Sequence, residues 1–103
     1  KKTLHINSSW NFGPDRKSFV RVIDIVKLIK KKINFSFSIN KKQNFFETKI
    51  LMINNSKAKK YLNWYPIWDV NKSIDNVIEW NNHYKKNKNA KNICEKQIRR
   101  YFE

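Results

Sequence analysis

One glycine, Gly13, stands in the whole chain, and that scarcity removes a set of folds before any other pattern is read. Loops that cradle a phosphate or a dinucleotide need several small residues, so that backbone N–H groups can approach the ligand closely. A Walker loop and a Rossmann fingerprint are therefore excluded, and whatever this chain binds, it does not hold NAD or ATP in that way. With 103 residues there is room for one small domain with a modest core, because a short chain buries a smaller share of its surface than a full-sized enzyme does. Residues 1–103 are read as that single domain. The sequence opens on Lys1 with its first clear element close behind, as a piece of something longer would.

A net charge of +15 points first to nucleic acid or an anionic membrane, since clustered Lys and Arg recruit phosphate by releasing counterions. The charge is mostly lysine and comes with abundant Asn and Ile, the residues that AT-rich codons favour, so part of it is compositional. No apolar run approaches the ~20 residues that span a bilayer, and no signal-peptide pattern is present, so no membrane is expected as a partner. Cys94 is alone, which excludes an internal disulfide and favours a reduced, cytoplasmic setting. His5 and His83 lack Cys, Asp or Glu at ligand spacing, so no metal is expected. The serines lack neighbouring histidines, and no nucleophile with base and orienting group emerges.

Along the chain, "SSWNFGPD" carries Trp10 and Phe12 into the turn signal Gly13-Pro14-Asp15, which ends a strand. Ser18 then precedes "FVRVIDIVKLIKKKI", where Val22, Ile25, Val26 and Ile29 recur at helical spacing and Lys30, Lys31 and Lys32 gather at the end that suits the helix dipole. "NFSFSI" alternates Phe35, Phe37 and Ile39 with polar residues, the period of a strand with one buried face. "KILMI" reads as a second strand or extended segment, and Asn54 or Asn55 caps the helix "SKAKKYL".

That helix runs into Asn63, the commonest substitute for glycine where a chain turns left-handed, and Pro66 then forbids the helix from resuming. Trp64 and Trp68 flank this bend and are expected to fold back as a structural clasp. Asp69 or Asn71 starts the helix "KSIDNVIEWNNHYKKN", with Ile74, Val77 and Ile78 in one stripe and Trp80 and Tyr84 one turn apart beside it. "KKNKNAKN" reads as an exposed connection to a last helix with Ile93, Gln97, Ile98 and Tyr101 on one face. The predicted class is α/β (α+β), a few short strands packed with three to four helices.

Tyr84 and Lys88 fit a Tyr-x-x-x-Lys pair, which is easily met by chance in so lysine-rich a chain and comes here without a glycine-rich loop. Asp15, Arg16 and Lys17 lie between a strand end and a helix start, where α/β proteins often present polar groups to ligands. Glu47 and Lys49 flank the second apolar run, and Glu47 is one of few acids in a basic region.

Taken together, "WNFGP", "SFVRVIDIVKLI", "FETKILMINNSKAKKYLNWYPIWDVNKSIDNVIEW" and "QIRRY" resemble the C-terminal part of the CDP-glucose 4,6-dehydratases, a family of extended short-chain dehydrogenases/reductases. The likeness spans nearly all of residues 10–101, and "SKAKKYLNWYPIW" looks like the family's Ser-Lys-Ala, Leu-Gly-Trp and Pro-x-Trp succession. The resemblance implies a substrate-binding domain that closes over a CDP-hexose, with NAD and the catalytic residues on an N-terminal Rossmann domain outside this chain. The parent reaction oxidises the sugar at C4, eliminates water across C5 and C6, and returns the hydride to C6. The fragment is then expected to be catalytically silent alone, to bind no cofactor itself, and to share the homodimeric habit of that family. Asn11, Pro14, Asp15, Glu47 and Lys49 become its expected substrate contacts, and Asn63, Trp64, Pro66 and Trp68 its structural residues. Asn63 stands where the family usually has Gly, and Phe46 replaces the His of a Pro-His-Glu succession. The alternative is a basic nucleic-acid-binding module that uses Trp and Tyr for stacking.

Overall fold

The computed structural model describes residues 8–41 and 52–103. The chain divides into two compact units, Lys1–Pro66 and Ile67–Glu103. In the first, a 3-10 turn at Arg16–Ser18 precedes α1 (Val22–Lys32), and α2 (Ser56–Leu62) follows after the segment outside the described residues. The second is a pair of helices, α3 (Val70–Asn87) and α4 (Ala90–Phe102).

The described residues are helical and contain no strand, which overturns the α/β expectation. Alternation marks a chain that can pair, but a strand exists only when its N–H and C=O groups meet a partner. Residues 34–40 are without regular structure and have no ladder partner among the described residues. Phe35 and Phe37 instead contact each other with ring centroids 6.2 Å apart, and the Lys30 ammonium lies over the Phe37 ring. The Trp10–Phe12 stretch is likewise not a strand. Of "KILMI", only Met52 and Ile53 are described, and neither is in a strand.

Local signals placed the helix ends with mixed success. Ser18 closes the 3-10 turn, its N–H donating to the Asp15 carbonyl at 2.8 Å, and does not cap α1. α1 begins at Val22, where Asp24 Oδ2 accepts the Arg21 backbone N–H at 3.2 Å and pairs with its guanidinium at 3.1 Å. Asn55 takes the N-cap position of α2, its carbonyl accepting the Lys59 N–H at 3.1 Å, but the side-chain bond comes from its neighbour, Asn54 Oδ1 accepting the Ser56 N–H at 2.9 Å. Asp69 caps α3, accepting the Lys72 N–H at 2.8 Å, and Asn71 lies inside the helix.

Asn63 ends α2 in the left-handed conformation, φ 51° and ψ 35°, as expected, and the next N–H, of Trp64, reaches back to the Ala58 carbonyl at 3.3 Å. Because a side chain at positive φ carries a steric cost that glycine does not, Asn63→Gly should stabilise α2's end by up to about 1 kcal/mol. A shift in the midpoint of thermal unfolding measures it, and a destabilised variant would mean that the Asn63 side chain holds the turn. Lys88 ends α3 in the same conformation, so the expected connection "KKNKNAKN" shrinks to Lys88 and Asn89.

α3 and α4 pack antiparallel, since low numbers on one meet high numbers on the other: Asn76 with Arg100, Glu79 with Gln97, Trp80 with Cys94. Their seam is largely polar. Arg100 donates to both Glu79 oxygens, at 2.6 and 3.1 Å, and Lys96 adds a contact at 3.1 Å. The buried Asn76 donates to the Lys72 carbonyl and accepts from Arg100, both at 2.7 Å, while Gln97 donates to the Asn76 carbonyl. Every polar group of Asn76 is thereby satisfied, which burial demands. Ile93 supplies the apolar filling, only 1% exposed. Ile74 is buried two residues from Asn76 and so on the other flank of α3, and Val77 of the expected stripe is largely exposed.

Candidate functional site

The two stretches that carry the resemblance come together in the first unit, forty residues apart in sequence. Gly13-Pro14-Asp15 bends over the start of α2, and Asn55, whose side chain makes no cap bond, donates its amide to the Gly13 carbonyl at 3.0 Å and to Asp15 Oδ1 at 3.2 Å. Lys59, one turn along α2, forms an ion pair with the same Asp15 oxygen. Gly13 packs closely here: a Cβ would meet Ile53 Cβ at 3.1 Å, a tight contact that Ile53 would have to relieve by a small shift.

Beside this junction lies a cleft of about 420 Å³, lined by Pro14, Asp15, Arg16, Asn55 and Lys59 together with apolar residues that include Phe19 and Ile53. Lys59, followed by Asn55, holds the Asp15 carboxyl below the ordinary carboxylate range. A carboxylate fixed in that way orients its donors and is poorly suited to exchange protons near neutral pH. The cleft thus offers an anchored carboxylate, the amide of Asn55, and cations at Arg16 and Lys59, an arrangement for binding a polar, partly anionic molecule and not for acid/base chemistry.

Of the expected substrate contacts, Pro14 and Asp15 line this cleft, and Asn11 is exposed outside its lining. Glu47 and Lys49 lie outside the described residues. From sequence Asn55 reads only as a cap and Lys59 only as part of the helix it caps, because nothing local announces a partner forty residues away. Of the structural residues, Trp64 meets Phe12 edge to face at 5.1 Å, and Trp68 meets Tyr101 at 5.0 Å. Both indoles and Pro66 are half-buried, with Trp64 and Pro66 in the first unit and Trp68 in the second. The chain's single glycine packs on Ile53 and belongs to no glycine-rich dinucleotide cradle. The Lys88 ammonium lies over the Tyr84 ring, 5.2 Å from its centroid, so these two residues meet as a cation on an aromatic face. Among the described residues no three His, Cys, Asp or Glu side chains gather as a metal site, and no helix is long and apolar enough to cross a membrane.

Asn55→Leu should cost about 1–3 kcal/mol, because it leaves the Gly13 carbonyl without its side-chain donor and Asp15 with Lys59 alone, in a site where Asn55 is 8% exposed. Chemical denaturation checks this, and a variant as stable as the parent would mean that the junction is not held by Asn55. No family model, curated protein or solved structure matches the chain.

Proposed function

We propose that this chain is the nucleotide-sugar-binding portion of an enzyme of the CDP-glucose 4,6-dehydratase type, a lyase of the extended short-chain dehydrogenase/reductase group, and that alone it binds CDP-hexose without turning it over. The observation that carries the reading is the junction of "WNFGPD" with "NSKAKK" through Asn55 and Lys59, which sets a carboxylate and two cations around one cleft. A net charge of +15 favours the approach of a diphosphate anion. Val22, Ile67, Val77, Ile98 and Phe102 are strongly exposed, as expected of a portion whose apolar surface meets more protein. A Rossmann domain that supplies NAD and the catalytic groups, and a second copy of the whole, are the partners this reading calls for.

Calorimetric titration of the chain with CDP-glucose, CDP and UDP-glucose tests it. Binding of CDP-glucose with a dissociation constant below about 1 mM is expected. Arg16→Ala, an exposed side chain at the cleft, should weaken that binding about tenfold, the scale of one charge-assisted contact. Indifference to all three ligands rejects the reading. Equal affinity for the cytidine and uridine ligands rejects the choice of nucleotide.

A further inference from the structure

The charge is unevenly divided. Lys1–Pro66 holds fifteen Lys and Arg against three Asp and Glu, a net +12, whereas Ile67–Glu103 holds eight against five, a net +3. Within the first unit the cations are interleaved with rings. Lys57, Lys60 and Tyr61 share one face of α2, being three and four residues apart. The Lys57 ammonium lies 4.5 Å from the Trp10 ring centroid, donating one hydrogen bond to the Ser9 carbonyl at 2.8 Å, and Lys60 lies 5.3 Å from the ring centroid of Tyr61. Trp10 and Tyr61 meet edge to face at 6.5 Å.

We infer that this face, built from Trp10, Lys57, Lys60 and Tyr61, binds single-stranded nucleic acid, an activity separate from the cleft. Unpaired bases stack on accessible rings whatever their sequence, and ammonium groups set between the rings meet the phosphates that link those bases. A duplex keeps its base faces stacked within the helix and offers these rings nothing. A membrane surface calls for a continuous apolar stripe, and here rings alternate with charges.

Fluorescence anisotropy with a labelled single strand of about twelve thymidines, the same strand in a duplex, and labelled heparin tests the inference. The single strand is expected to bind, and to lose roughly twentyfold in affinity between about 50 and 200 mM salt, the slope of about three neutralised phosphates. Tyr61→Ala should weaken strand binding roughly tenfold and leave heparin binding unchanged, with Tyr61→Phe retaining affinity as proof that the ring acts. Lys60→Glu should weaken both. Circular dichroism establishes that each variant is folded, and Trp10→Ala serves as a second ring variant should Tyr61→Ala fail to fold. Equal affinity for duplex and single strand, ring variants that bind as the parent does, or no binding at the lower salt overturns the inference.

Discussion

Ile93→Ala should destabilise the α3–α4 pair by about 2–4 kcal/mol, the largest effect expected of any single truncation in that unit. Ile93 is 1% exposed and is the largest side chain among the described residues to be so fully enclosed. The seam around it is made of Asn76, Glu79, Gln97 and Arg100, whose hydrogen bonds replace bonds to water and contribute modestly in net terms. Apolar burial at Ile93 therefore supplies much of the drive, and the polar contacts fix register. Removing three carbons leaves a cavity that a rigid polar frame closes poorly. Ile93→Val should cost only about 0.5–1.5 kcal/mol. Denaturant unfolding followed by circular dichroism measures both, and an alanine variant within about 0.5 kcal/mol of the parent would assign the seam's stability to its ion pairs instead.

The stability of the same pair should fall as the solution is acidified from pH 5 to pH 2. Arg100, with Lys96 and Gln97 behind it, holds the Glu79 carboxyl down to about 2 against burial, which works the other way. A carboxyl depressed in the folded state contributes stability that is fully present above its unfolded value of 4.5 and drains away as pH falls through about 2. Linkage sets the ceiling at roughly 3 kcal/mol, and solvent screening of a pair 31% exposed on each side reduces this to about 1–2 kcal/mol. Glu79→Gln should flatten that pH profile while lowering stability at neutral pH, since Arg100 then loses its charged partner. An unchanged acid slope in the glutamine variant would mean that the Glu79–Arg100 pair does not set it.

The acid slope and the cavity cost rest on contacts that no local pattern revealed. Arg100 looks like solvated helix charge, Gln97 shares a face with Ile93 without naming its partner, and Asn76 looks like a poor helix former; only when α4 lies against α3 do they become one network. The stripe of Ile74, Val77 and Ile78 suggested an apolar seam, yet α3 turns Asn76 and Glu79 toward α4. Asn55 was similarly legible as a cap and illegible as the tie between Gly13 and Asp15.

What the sequence by itself determined are the features settled within about four residues. These are the left-handed turn at Asn63 before Pro66, the cap at Asp69, the helical spacing of Val22, Ile25, Val26 and Ile29, and the exclusion of a phosphate cradle by a lone glycine. What only the tertiary structure decided is which side chains meet: that Phe35, Phe37 and Ile39 have no strand to pair with among the described residues, that the α3–α4 seam is polar, and that Asn55 and Lys59 converge on Asp15. Caps and turns are hydrogen bonds between near neighbours, so residue type and order specify them. Pairing, burial and ion-pair networks depend on which distant segment arrives, and a residue carries the same chemistry whether that segment comes or not.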